Sequence, residues 1–198
     1  MGDFHIFSVG VKSYNSDGSS DSSGYYLKEV IFDSLFIESE NLTQFSINRF
    51  KKDAIEDDWA YFETISQRQS IRSLITVVDN IPVISVVYPM SEGLTWDANS
   101  QNSLPADNFE IENLGHPFMV DSVTFVNSMQ VTQEDLRDPI MISSDDYRIE
   151  VYADMVGLVY KQTIKIQWCG PSNQPSCSQV TPIGGFELEQ KLIEFGEE

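Results

Sequence analysis

Two runs dense in Val and Ile, residues 73–78 and 81–88, stand on either side of Asp79-Asn80. Branched and aromatic side chains favour the pleated surface of a strand. Asp and Asn tolerate the left-handed backbone of a tight type I′ turn, so the segment reads as a β-hairpin. Pro82, lacking an N–H, suits an edge that faces solvent. This feature constrains the chain most, because a hairpin with apolar residues on both strands must be covered by further strands.

Those strands are legible elsewhere. Residues 25–37, 43–50, 59–66, 109–114, 122–132, 158–168 and 186–195 each show apolar residues at a two-residue period, complete or broken. In 43–50, Phe45, Ile47 and Arg49 share one face against Ser46, Asn48 and Phe50. Residues 38–42 supply a polar turn, 54–58 a break, and 93–105 a loop that carries Trp96, while Asp138-Pro139 ends a strand pattern. Residues 144–153 fit two templates. Ser144-Asp145-Asp146 caps a short helix with Tyr147, Val151 and Tyr152 on one face, whereas Tyr147, Ile149, Val151 and Ala153 alternate as in a strand; the cap favours a short helix. The predicted fold is mainly β, or α+β with little helix. It is a curved antiparallel sheet, an open or partly closed barrel or sandwich, with one or two short helices. So many strands must curl or close to bury one face. Residues 1–24 read as a flexible or loosely attached N-terminal segment, with Phe4, Phe7, Val9 and Val11 suited to a short strand and the Ser/Asp/Gly run 15–24 to a loop, and residues 25–198 as a single β-rich domain.

Charge narrows the partners. Twelve Lys and Arg stand against 31 Asp and Glu, a formal net charge of −19. Nucleic acid and anionic lipid surfaces are bound through Lys and Arg, so neither is expected here. The acid balance serves solubility first, and a divalent cation or a basic partner second. No stretch approaches the ~20 apolar residues of a membrane-spanning helix. No basic-then-apolar signal peptide opens the chain, and Ile6 stands where a myristoylation motif carries Ser or Thr, so the start reads as a trimmed one or as the mature part of an exported protein.

Cys169 and Cys177 bracket the turn-forming string Gly-Pro-Ser-Asn-Gln-Pro-Ser. A chain folded back there brings the two Cβ atoms together, and a disulfide closing so short a loop contributes about 2–3 kcal/mol. The alternative is two free thiols in a reducing compartment. A zinc site needs two further ligands, and only His5 and His116 exist, at no matching spacing.

Catalytic constellations are thin. Nucleophilic catalysis wants a base beside the nucleophile, yet His5 lies near the terminus and His116 in a Gly-His-Pro turn, with no Gly-x-Ser-x-Gly in the chain. The carboxylate runs Glu56-Asp57-Asp58, Glu134-Asp135 and Asp145-Asp146 are what an acidic composition produces by chance, and read as solvated charge. Residues 15–21 hold Asp17-Gly18 and Asp21 but not the alternating ligands and closing Glu of a calcium loop. Trp59, Trp96, Trp168, Tyr152 and Tyr160 suit core packing before a sugar or apolar pocket. No catalytic, cofactor-binding or metal-ligating residue is assigned, and no cofactor is expected.

Several blocks carry a family resemblance. Gly93-Leu94-Thr95-Trp96-Asp97-Ala98-Asn99, Glu150-Val151-Tyr152-Ala153, Gly157-Leu158-Val159-Tyr160-Lys161, Trp168-Cys169 with Cys177, and Gln190-Lys191-Leu192-Ile193 before Phe195-Gly196 resemble the pattern of a family of uncharacterised lipoproteins from Bacteroidetes. The resemblance covers about residues 25–196. The chain departs from that pattern in lacking the leader and lipid-bearing Cys, and in carrying Asp154-Met155 where the family has Lys-Gly. It implies an exported protein, periplasmic or attached to the outer membrane through a lipid anchor in the precursor. The family brings no activity, and its shared residues read as structural. The function expected is a non-catalytic cell-envelope domain that binds a protein or glycan. The alternative is a carrier of a small apolar ligand inside the curved sheet, and a carboxylate-based hydrolase ranks third. Intact mass of the native protein under alkylating conditions checks the cysteine expectation: two adducts are expected only after reduction.

Overall fold

Twelve strands form one antiparallel sheet in the computed structural model, which describes residues 2–137, 143–170 and 180–197. In chain order they are β1 (Asp3–Tyr14), β2 (Ser20–Ile37), β3 (Leu42–Lys52), β4 (Ala60–Ser70), β5 (Ser73–Val78) and β6 (Ile81–Val87). There follow β7 (Thr95–Asp97), β8 (Asn108–Val120), β9 (Val123–Leu136), β10 (Ser144–Ala153), β11 (Gly157–Cys169) and β12 (Thr181–Glu197). The spatial order is β6-β5-β4-β3-β2-β1-β12-β11-β10-β9-β8-β7. The chain thus starts in the middle, meanders to one edge, and reaches the other half through the 88–94 connection.

The two edges then meet. The Ile84 N–H on β6 donates to the Ala98 carbonyl just beyond β7 (2.9 Å), and the Trp96 indole N–H donates to the Ile84 carbonyl (2.8 Å). Asn102 Nδ2 adds a bond to the Pro82 carbonyl (2.8 Å). Closing a sheet on itself removes the row of unpaired edge amides that would otherwise invite another chain. Here the seam uses few bonds, so the barrel is nearly rather than fully closed. Val86, Ala98, Phe109, Ile111, Met129 and Val131 pack together behind it, with Trp96 edge-on to Phe109 (5.9 Å between centroids).

A second core group joins Phe7, Val9, Leu27, Val159 and Leu192 to Val120, Val151 and Ala153. The far end of the β8–β9 hairpin reaches it because β8 slips register on both sides of His116, with Asn113 and Gly115 at positive φ. Phe118 and Phe125 then lie against this cluster, and the Phe118 and Tyr160 rings are 5.3 Å apart.

The mainly β architecture agrees with the sequence reading, and so does the hairpin at Asp79-Asn80, whose φ values of 51° and 62° are those of a type I′ turn. Two expectations are corrected. Residues 144–153 are strand β10, paired on both sides by β9 and β11, and no helix occurs among the described residues. Two neighbouring ladders pair residues 146–153 on both sides, which outweighs a local cap. Residues 1–24 are not loosely attached: β1 lies between β2 and β12, Phe7 is 1% exposed, and only residues 15–19 form the turn. Polar composition in 20–24 marked a water-facing strand end instead of a loop.

Two backbone positions carry opposite consequences. Gly185 has φ +106°, and a Cβ there would lie 2.0 Å from the Lys165 carbonyl oxygen on β11. Met155, in the β10–β11 turn and almost fully exposed, takes φ +60°, a conformation costing a non-glycine residue about 1–2 kcal/mol. Gly185→Ala is therefore expected to lower unfolding free energy by at least about 2 kcal/mol. Met155→Gly is expected to raise it by about 0.5–1 kcal/mol. Denaturant titration of both variants measures the two signs.

Candidate functional site

Period-two alternation decides what the barrel encloses. On β3, Ile47 and Arg49 point to the interior, while Gln44, Ser46 and Asn48 point outward. On β4 the inward Gln67 alternates with Thr64, Ser66 and Arg68. Over residues 44–48 and 64–68 the outer face of this wall is therefore polar. The interior holds a cavity of about 780 Å³, lined by β1–β6 on one side and β8–β12 on the other.

Charged side chains project into or border this space, and they are matched across strands. Arg49 is flanked in register by Glu29 on β2 and Glu63 on β4. Its Nη2 lies 2.7 Å and its Nε 2.8 Å from Glu29 Oε1, and Nη1 lies 3.2 Å from Glu63 Oε1. Arg148 on β10 donates through both Nη atoms to the Asp107 carboxylate (2.8 and 3.1 Å) and through Nε to Asp146 (2.8 Å). Such two-pronged geometry fixes orientation as well as charge.

A third group sits deepest. Glu150, 8% exposed, is opposite Lys161 of β11, whose Nζ is 2.8 Å from Oε1. The Tyr152 hydroxyl donates to Oε2 at 2.6 Å. Between Arg148 and Ile149 the β9–β10 register slips, leaving Gln133 without a partner position; it lines the cavity and hydrogen-bonds to Glu150. Burial alone would push the Glu150 carboxyl up. The Lys161 charge and the bonds from Lys161, Tyr152 and Gln133 outweigh it, so the group is held below its ordinary range. Burial and the adjoining carboxylate push the Tyr152 phenol well above its own. A general acid working near neutrality requires a carboxyl pushed upward. Glu150 is displaced the other way.

A second chamber of about 520 Å³ adjoins the first, and the two share Gln67, Leu74, Tyr152, Val156 and Gly157 on their walls. Leu74, Val86, Tyr88, Met90, Leu114 and Met129 line it together with Gln67, Gln69, Asn127 and Ser128, and Asp154 is its sole charged wall residue. It opens toward the 154–156 turn and Met90. The charged chamber extends to Asp79 and Leu104, in connections at the opposite end of the barrel.

The residues singled out from the sequence are scattered relative to this site. Cys169 is buried at the end of β11, while Cys177, and with it the expected pairing, lies outside the described residues. His5 is held within β1, its Nε2 donating to the Val156 carbonyl (2.7 Å), and it lines the cavity. His116 sits at the irregular part of β8, its carbonyl accepting from Ser128 Oγ. Glu56, Asp57, Asp58, Glu134 and Asp135 are exposed, but Asp145-Asp146 is not the solvated run expected: Asp145 is buried on β10 and Asp146 pairs with Arg148 and Lys165; Asp17 takes the amide and hydroxyl of Ser19. Among the described residues no group of three His, Cys, Asp or Glu is disposed to hold a metal. Of the five aromatics, Tyr152 alone lines the cavity.

Sequence reasoning passed over Glu29, Arg49, Arg148, Glu150 and Lys161. A signal was present: Arg49 falls on the same face as Phe45 and Ile47, and a charge in an apolar row is unexpected unless it is paired. No family model, no curated protein and no solved structure matches the chain.

Glu150→Gln removes the partner of Lys161. Because the Lys161 side chain is 36% exposed, the expected loss at neutral pH is about 1–2 kcal/mol instead of the 3–5 of a fully buried pair. A depressed carboxylate stabilises the folded state above its unfolded pKa and loses that contribution as pH falls toward its folded value. The gap between wild type and variant should therefore narrow below the ordinary 4.5. Urea titrations from about pH 7 to about pH 3 follow it.

Proposed function

We propose that this protein is a non-catalytic binding protein that holds a small molecule inside the barrel. The observation that carries the reading is the charged lumen itself. Its volume lies in the range of about 300–1,000 Å³ typical of small-molecule sites. Its polar groups are fixed by one another across adjacent strands, so a ligand meets an orientation already set and little ordering is required on binding. A purely apolar ligand fits less well, since it would cover ion pairs without offering them hydrogen bonds. The depressed Glu150 carboxyl supports binding over acid catalysis.

Export to the cell envelope belongs to the same proposal. The cysteine pair and the resemblance to lipoproteins of Bacteroidetes support it, and a lipid-anchored precursor would place the barrel at a membrane surface without a spanning helix. Binding of a protein or glycan at the exposed connections is the competing reading.

The two separate by backbone amide NMR of the whole chain during a small-molecule screen. Ligands of the proposed site shift amides of β6, β9 and β10. Val83→Trp fills the lumen from β6 and is expected to abolish those shifts while the amide spectrum stays dispersed. Shifts confined to the connecting loops, unaltered by Val83→Trp, would overturn the carrier reading.

A further inference from the structure

Hydrogen-bonding capacity is left over along one row of the barrel wall, and its chemistry selects a ligand. We infer that the lumen binds a neutral polyhydroxylated molecule, a small saccharide, along Gln133, Glu150, Lys161 and Gln190. This inference rests on the carrier reading and adds a ligand class to it.

The row is contiguous across adjacent strands. Glu150 of β10 is the register partner of Lys161 on β11, and Lys161 is that of Gln190 on β12. Gln133 reaches Glu150 from β9, at the register slip. All four line the same cavity. Neighbouring strands lie about 4.8 Å apart, so a ligand that touches one member is within reach of the next.

Gln190 sets this row apart. It is 8% exposed and lines the cavity, and among the described residues its side-chain amide has no hydrogen-bond partner. A buried amide left unmatched is costly to a fold. Its carbonyl and N–H groups are therefore free to meet a guest without first breaking a bond inside the protein.

The charge of the guest follows from what its neighbours have left to offer. Lys161 Nζ carries three donors and uses one on Glu150 Oε1. Glu150 takes Lys161, Tyr152 and Gln133, which leaves it about one of the four acceptor sites of a carboxylate. The Glu150–Lys161 pair has no net charge. A carboxylate brought to Lys161 meets Glu150, and an ammonium brought to Glu150 meets Lys161. Arg49 and Arg148 are each held between two carboxylates, whose charge opposes an anion there as well. Spare donors and acceptors mixed along one row suit a ligand whose groups do both. Hydroxyls donate and accept, and a sugar carries several around one small ring.

Calorimetry and backbone amide NMR of the full chain test the assignment. The probes are glucose, galactose and mannose, each as the neutral methyl glycoside, the uronate and the amino sugar. At least one glycoside is expected to bind at least about tenfold tighter than its own uronate and amino sugar, and to shift amides of β9 to β12. Gln190→Met keeps the side-chain length and removes the amide. It is expected to weaken that glycoside at least about tenfold while the thermal midpoint holds or rises, since no partner is lost. Nuclear Overhauser contacts from the sugar to the Gln190 side-chain amide are expected in the wild-type complex, and they read the site without a variant. A uronate or amino sugar that matches its glycoside overturns the neutral ligand. Undiminished binding by Gln190→Met, or no contact to the Gln190 amide at saturation, overturns the row as the site. If no glycoside binds while other molecules shift lumen amides lost in Val83→Trp, the saccharide is wrong and the carrier stands. If every shift lies on the exposed loops, both fall.

Discussion

A charge enclosed by a protein wall must be answered by a charge on a neighbouring strand, and that requirement organises this barrel. Removing an ion from water costs several kcal/mol unless a partner and hydrogen bonds replace the solvent. Arg49 meets it with one carboxylate on each flanking strand, at the same level of the ladder. Slipping β3 by one residue against either neighbour would turn Arg49 to the outside and leave Glu29 and Glu63 facing each other. Register across β2, β3 and β4 is thereby specified by electrostatics as well as by the Ile47 and Ile65 positions beside it. The Glu150–Lys161 pair does the same for β10 and β11.

Closure and cavity are consequences of that arrangement. A wall whose inner face carries paired charges does not collapse onto itself as an apolar face would, because collapse would strip the pairs of their remaining solvent. The apolar residues that do collapse gather where the edges meet, around Val86, Ile111 and Val131, and beneath the β8–β9 hairpin end, around Val151 and Val159. The interior is divided between two packed regions and an open polar one. The open region is the space the proposed carrier function would use, and its walls carry the paired charges.

Much of the local structure was legible. The Asp79-Asn80 hairpin and the strand pattern of 158–168 follow from side-chain branching and turn chemistry, and the structure reproduces them, as it does the turn read at 38–42 but for Leu42, which opens β3. The 144–153 segment was not, because Tyr147 and Val151 satisfy both periods and only the ladders on either side choose between them. His5 was placed at a loose end because the turn at 15–19 hid the fact that β1 is central. The site was less legible still. Glu150 and Lys161 stood inside the motif blocks that carry the lipoprotein resemblance, whose shared residues read as structural.

What sequence alone determined was the element type along most of the chain, the antiparallel sense implied by short turns, and a charge balance that disfavours polyanionic partners. These depend on residues close together, whose steric and turn preferences act without reference to distant parts. Tertiary structure alone decided which face of each strand looks inward. Alternation is symmetric: it marks two faces but not which of them is enclosed. Only when Ile84 meets Ala98 and the sheet curls shut do Glu29, Arg49, Arg148 and Glu150 become interior groups, and a row of scattered charges becomes a site.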